Sequence, residues 1–446
     1  MNKIKKISVV GLGKLGSCLA ASLAYRGFDV IGFDINNNFV NSINNGITPV
    51  DEPRLQELIN KSKKRLKATM NPEDIINNSQ ATFIIVPTPS TKRGDFSDKY
   101  IQDSLISLAP FLKNKKEHHI FVITSTVSPG TTEKNLIPLI EKLSGKKLNK
   151  DFSVCYNPEF IALGDVVNGL LRPDLVLIGE SSKNVGDILE KVYKKFCENN
   201  PVIAKMSLVS AEISKIALNS YVTMKISFTN TLGNICEKIP GANVDDVTRA
   251  LGADKRISPY YLKAGLAYGG PCFPRDNRAF DFFAKNHGID AKLAKATDRV
   301  NEFQIENKFK KIKNILKIHK FNSISILGLA YKIKTPVIEE SPAVKLINYI
   351  LTNHKKTKIC IYDPLAIKSA KSVFSRKIYY ASSMEKCLNF SPLWVIATPE
   401  PEFKNISDKH IKHNPTVIVD SWGIIDESNF KKDIKYIRIG KHNEYN

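Results

Sequence analysis

Three features of the sequence predict an α/β protein built from two doubly wound parallel-sheet domains joined by a central helical region with one long helix. Short β-rich runs alternate with amphipathic helical stretches over the first 200 residues. A long helical pattern follows, and β-rich runs return after residue 320. Such alternation is the mark of a parallel sheet covered by helices, since each crossover between parallel strands needs one. At 446 residues, 42% hydrophobic and 25% charged, the chain supports about three domains with ordinary cores.

The first-domain strands are expected at Ile7–Val10, Val30–Phe33, Thr82–Val86, His119–Thr124, Phe152–Cys155 and Leu175–Ile178, with helices over Gly16–Arg26 and Glu133–Leu143. From Ser207 to Ile239 the residues Ile213, Ile216, Ala217, Tyr221, Phe228, Leu232 and Ile235 recur near a 3.6-residue period. Gly233 is the one glycine in that stretch, and Pro240 ends it. A helix apolar on more than one face must be covered, and a second subunit would cover it. Another helix is expected over Ala291–Leu316. The last domain's strands fall at Ser323–Leu327, Lys358–Tyr362, Leu393–Ala397, Thr416–Val419 and Tyr436–Ile439. Its opening, SISILGLAYK, echoes SVVGLGKLGS at the start, as two related halves would. The expected division is 1–200, 201–310 and 311–446.

The charge balance is 66 − 44 = +22. The Lys and Arg residues are spread along the chain without interleaved stacking aromatics, so a nucleic-acid partner is not expected, although anionic ligands are favoured. Seven scattered Cys residues with no CxxC pair suit a reducing compartment. No apolar run approaches the ~20 residues of a membrane span, and the apolar stretch after the basic N-terminus is too short for a signal peptide. A soluble, cytoplasmic protein without a membrane partner is expected. His410 and His413 form an HxxH without further ligands at metal spacing, so no metal is expected.

The strongest local motif is Gly11-Leu12-Gly13-Lys14-Leu15-Gly16, after a strand and opening a helix, with Asp34 closing the next strand. Gly11 permits the tight turn, Gly13 admits a pyrophosphate to the backbone, and Gly16 lets helix and strand approach. The helix N-terminus then binds the anion. Asp34 accepts ribose hydroxyls and repels a 2′-phosphate. The first domain therefore reads as Rossmann-like, with NAD favoured over NADP. Thr88 and Thr126 stand at further strand ends, where they can touch cofactor or substrate.

In Gly269-Gly270-Pro271-Cys272-Phe273-Pro274-Arg275-Asp276 the prolines suit a first helical turn. A thiol there has its pKa lowered toward the reactive thiolate, and Asp276 follows one turn on. Cys272 is either that nucleophile or a small buried residue. Lys215 and Asn219, four apart on the long helix, either form an acid/base and oxyanion pair or a solvated surface. Glu159, in Asn157-Pro158-Glu159-Phe160, is a general base or a helix cap. Lys332 is a phosphate ligand or an exposed loop lysine.

Together the segments GLGKLG, VPTP, STVSPGTT, NPEF, SKIALNSY, GGPCFPRD, GLAYK and YDP, in this order, resemble the nucleotide-sugar 6-dehydrogenase family, which includes UDP-glucose and GDP-mannose dehydrogenases. The resemblance spans almost the whole chain. It implies an NAD-binding domain, a central dimerisation region and a UDP-binding domain, in a homodimer built on the long helix. It also implies a four-electron oxidation of a sugar carbon 6 with two NAD, through a thiohemiacetal and a thioester on Cys272. Lys215 and Asn219 would stabilise the oxyanions, Asp276 and Thr126 would position water, and Glu159 would act as general acid/base. Arg256, Tyr260, Lys263, Gly269, Phe160 and Lys332 would contact the UDP-sugar. UDP-glucose is the favoured substrate, with NPEF and the Lys215/Asn219 segment behind it. Leu163 stands in place of a second glutamate and Pro271 in place of serine, which favours a UDP-N-acetylhexosamine (GlcNAc or ManNAc) instead. Glu339 and Trp422 stand where arginines are usual. A single-step 3-hydroxyacid dehydrogenase shares the start of the chain, but leaves Cys272 and the last ~120 residues without a role.

Overall fold

The computed structural model describes residues 4–161, 163–374, 378–431 and 434–443. The chain divides into two compact units, one up to Ala217 and one from Leu218 onward. The first holds eight strands: β1 (Lys6–Val10), β2 (Asp29–Phe33), β3 (Leu66–Thr69), β4 (Ala81–Ile84), β5 (His119–Ile123), β6 (Phe152–Tyr156), β7 (Leu175–Glu180) and β8 (Val202–Ser207). Their order is β3-β2-β1-β4-β5-β6-β7-β8. Pairing is parallel except between β6 and β7, where Cys155 faces Glu180 in antiparallel register. The expected parallel sheet thus holds through β6. After β6 the chain re-enters the sheet from the same end and makes no crossover.

Alternate strand residues feed two apolar layers, one on each face. Ile7 and Val9 pack with Leu19 and Leu23 of the Lys14–Tyr25 helix and Phe196 of the Lys183–Phe196 helix. On the other face Val10, Ile84, Ile123 and Val154 meet Leu105 and Ile140. The helix expected over Glu133–Leu143 is a wide turn at Thr132–Leu136 followed by a helix over Ile137–Ser144, which Gly145 ends in the left-handed region.

In the second unit β9 (Ser323–Leu327), β10 (Lys358–Tyr362), β11 (Ile378–Tyr380), β12 (Leu393–Ile396), β13 (Thr416–Asp420) and β14 (Ile434–Arg438) form a wholly parallel sheet in the order β11-β10-β9-β12-β13-β14. This repeats the order of the first six strands of the other sheet. The sequence echo is also geometric. Gly11 and Gly328 both have φ +92°, and each donates its N–H at 2.8 Å to the last carbonyl of the neighbouring strand, Phe33 and Tyr362 respectively. Leu12 N–H binds Asp34 at 2.6 Å and Leu329 N–H binds Asp363 at 2.7 Å.

The long helix runs Leu208–Lys238, and further helices span Val244–Ala253, Phe273–Asn286 and Lys292–Ile318. Strands β3, β8 and β11 carry no strand signal in the sequence. All three are sheet edges, so none needs a continuous apolar face. Among the described residues no helix is long and apolar enough to cross a membrane.

Candidate active site

The turn after β1 has the shape a dinucleotide needs. A Cβ on Gly16 would lie 1.7 Å from the Gly11 carbonyl oxygen, so any side chain there would push the helix off the turn. A Cβ on Gly13 would meet nothing within 4 Å, so the backbone at the helix N-terminus stays open to a phosphate. Asp34 takes the Leu12 N–H on Oδ2 and the Asn36 N–H at 2.8 Å on Oδ1. Its orientation is thereby fixed, and each oxygen keeps a further lone pair for a ribose hydroxyl. Leu15 is half-buried and packs on the core beneath the turn. Thr88 is buried and Thr126 half-buried, in the loops leaving β4 and β5. Those loops are joined by the Ser125 hydroxyl, which donates to the Val86 carbonyl at 2.7 Å.

A second group forms at the end of β6. Lys215 is buried, donates to the Glu159 carbonyl oxygen at 2.7 Å and lies 4.6 Å from the centre of the Phe160 ring. Beside it the Tyr193 hydroxyl donates to the Asn157 side-chain oxygen. Burial pushes the Glu159 carboxyl up to about 7, against the opposing pull of Lys215 and Tyr193. A carboxyl tuned there exchanges protons near neutral pH, as a general acid/base must. The cap reading of Glu159 has no support, because the next helix, Val166–Leu171, begins well beyond it.

In the second unit, Cys272 precedes the Phe273–Asn286 helix and is the exposed member of seven free thiols, the other six being buried. This removes the buried-residue alternative. Gly270 has φ +85°, and a Cβ on it would lie 2.4 Å from the Tyr331 ring. Its N–H donates to the Glu339 carbonyl at 3.1 Å. The cysteine loop is thus pressed onto the GLAYK loop leaving β9. Asp276 is fully buried, accepting from Asn219 Nδ2 at 2.6 Å and Arg275 Nε at 3.1 Å. It orients the Asn219 amide, which has a second N–H for an oxyanion.

The remaining candidates are less gathered. Arg256, Tyr260 and Lys263 are exposed on the segment after Ala253, and Arg256 pairs with Asp254 at 2.6 Å. Lys332 is half-buried in the loop after β9. Leu163 packs against the core of the first sheet. Glu339 is exposed. Trp422 fills space instead of binding an anion: its ring would meet a Cβ on Gly265 at 2.6 Å, and its Nε1 donates to the Ala397 carbonyl at 2.9 Å. His410 closes a capping turn with Ser407, and His413 contacts the Asn389 carbonyl. Among the described residues no group of three or more His, Cys, Asp or Glu is arranged to hold a metal.

Sequence reasoning passed over two buried acids. Glu52 accepts the Val166 N–H at 3.0 Å and lies 3.8 Å from Lys14, so it tethers the first turn of the cofactor helix. Glu212 grips the loop leaving β5. The available signal for Glu212 was its position three residues before Lys215 in a helix otherwise rich in small and apolar residues.

Fold and site define a nicotinamide-dependent oxidoreductase with a second, nucleotide-type sheet. The match to known proteins carries this further. The chain belongs to the UDP-glucose/GDP-mannose dehydrogenase family, whose NAD binding domain model matches residues 5–197, its central domain 209–303 and its UDP binding domain 325–427. It is 32% identical over 423 residues to a UDP-glucose 6-dehydrogenase of Haloferax volcanii, covering 94% of this chain and 97% of that one. It is 32% identical to a GDP-mannose 6-dehydrogenase of Pseudomonas syringae pv. tomato, covering 91% and 93%. A UDP-glucose dehydrogenase structure from Pyrobaculum islandicum superposes with a TM-score of 0.87 at 28% identity, covering 98% of each chain. A UDP-D-ManNAc dehydrogenase structure from Pyrococcus horikoshii gives 0.81 at 27%, covering 98% and 99%. The matched UDP binding domain occupies the residues that the hydroxyacid reading leaves idle.

Proposed function

We propose that this enzyme oxidises the 6-hydroxymethyl group of a UDP-hexose, UDP-glucose first, to the uronate, with NAD as the cofactor. The observation that carries the reading is the exposed Cys272 at a helix start, on a loop packed against the second sheet's nucleotide loop. Gly11, Gly13, Gly16 and Asp34 would hold NAD, and two NAD molecules bound in succession would each supply an acceptor for one hydride from the sugar carbon. Glu159 takes the hydroxyl proton as the alcohol becomes an aldehyde. The Cys272 thiolate adds to the carbonyl carbon, and the resulting thiohemiacetal oxyanion is met by Lys215 and Asn219. Loss of the second hydride leaves a thioester. Water, placed with the help of Thr126 and Asp276, adds to it and releases uronate and the thiol.

The related proteins act on UDP-glucose, GDP-mannose and UDP-ManNAc by their names. Leu163, turned into the core instead of offering a carboxylate, favours the UDP-N-acetylhexosamine alternative. An NADH-production screen of UDP-glucose, UDP-N-acetylglucosamine, UDP-N-acetylmannosamine and GDP-mannose decides between them: UDP-glucose should give the highest kcat/KM, and silence on every UDP-sugar would refute the reading.

With Glu159 as base, kcat/KM should fall about tenfold per pH unit below roughly 7, where the carboxyl holds its proton. Glu159→Gln should lower the rate and erase that limb; a limb unchanged in the variant would clear Glu159 of the role. The three-part division at 200 and 310 stands as part of this proposal. So does a homodimer through the long helix, whose exposed Tyr221, Phe228 and Ile235 recur every seven residues. Sedimentation at the mass of one chain would rule it out.

A further inference from the structure

We infer that Glu212 is a positioning residue for the oxidation, a role that rests on the reading of Thr126 as part of the reacting site. Glu212 lies in the second turn of the long helix and is completely buried. Its carboxylate accepts the Gly130 N–H on one oxygen and the Thr132 N–H on the other, the latter at 2.9 Å. Gly130 has φ +88°, and Thr132 opens the turn that becomes the Ile137–Ser144 helix. The carboxylate therefore fills the place where the unpaired N–H groups of that helix start collect. Gly13 stays open at the loop–helix junction after β1, so a cofactor phosphate would meet an available helix N-terminus there, whereas the one after β5 is occupied by the chain itself.

Three residues on, Lys215 donates to the Glu159 carbonyl. Two side chains one turn apart thus hold the loops leaving β5 and β6, neighbours in the sheet, at the strand ends where ligands of such sheets bind. Thr126 lies in the first of these loops, four residues before Gly130. Glutamine at position 212 offers one carbonyl for two N–H groups, and its own amide hydrogens face a donor. The loop must then shift, and a displacement near 1 Å at a reacting group costs about 10²-fold in rate.

The test compares wild type with Glu212→Gln and Glu212→Asp, measuring kcat, KM for both substrates, NAD binding by fluorescence, and amide exchange. Expected is a loss of kcat of roughly ten- to a hundredfold in Glu212→Gln, unchanged NAD affinity, and faster exchange confined to residues 124–136. Glu212→Asp, which reaches only one of the two N–H groups, should fall between. Unchanged kcat in a variant whose loop exchanges faster would overturn the inference. Unfolding of both variants would assign Glu212 to stability alone and overturn it too. Absence of nucleotide-sugar turnover in the wild type would bring down the functional reading, and this inference with it.

Discussion

Replacing Cys272 by serine is expected to abolish uronate formation while NAD still binds. In the proposed mechanism the nucleophile is sulfur, and a thiol ionises far more readily than a serine hydroxyl. The substitution keeps the size of the side chain, and the close packing of Gly269 and Gly270 against Glu340 and Tyr331 is untouched by it. The fold should therefore survive. Without a thiohemiacetal there is no bound species to give up the second hydride, and net turnover should drop on the order of 10³-fold or more. Mass spectrometry of the wild-type protein mixed with substrate should show an adduct on Cys272 that is absent in the variant. A Cys272→Ser enzyme that still released uronate at an undiminished rate would exclude the thioester route.

The largest effect on stability is expected from Glu237→Gln. The Glu237 carboxylate is buried with two buried lysines, Lys308 at 3.1 Å and Lys311 at 3.0 Å, and also accepts the Gly440 N–H at 3.1 Å. The His442 ring nitrogen meets the Glu237 carbonyl at 2.9 Å, so the cluster ties the last described residues to the helices. Burial pushes the Glu237 carboxyl up, but the two lysines outweigh it and hold it below its ordinary value. Burial pulls Lys308 down to about 8 despite Glu237, and pulls Lys311 down as well. Glutamine would leave two interior ammonium groups without a counter-charge, a loss of about 3–5 kcal/mol.

The pH dependence has a definite sign. Between about 8 and the ordinary lysine value of 10.5 the folded chain has released the Lys308 proton and the unfolded chain still holds it. Stability contributed by this group therefore rises with pH across that window. Without Glu237, which raises Lys308, the variant releases that proton at lower pH than wild type does, so the deficit of Glu237→Gln should shrink as pH rises toward about 8 and level off above it. Thermal denaturation from about pH 6 to 9 measures this, and a deficit that grew toward pH 8 would contradict the account.

Much of the first domain could be read from the chain because its determinants are local. The glycines, the helix start and Asp34 lie within 24 residues of one another, and the structure shows a positive φ at Gly11, open space at Gly13 and close approach at Gly16. The long helix was legible from its period, and its observed ends, Leu208 and Lys238, differ by one residue from the expected ones. The edge strands were not legible, since β8 mixes exposed and half-buried positions without a buried side. Nor was the reversal at β7, which depends on where the chain re-enters the sheet. The buried acids were least visible. Glu212 and Glu237 look in the sequence like solvated helix charges, and what buries them is a partner about 70 to 80 residues away, at Gly130 and Lys308. Hydrophobic periodicity does not encode such pairings.

The central claim is that one enzyme carries the sugar through two successive oxidations. It is tested most directly by the ratio of NADH formed to UDP-sugar consumed, followed to completion with purified protein and limiting sugar. The account predicts two NADH per sugar, with uronate as the sole sugar product. One NADH per sugar, with an aldehyde released, would contradict it.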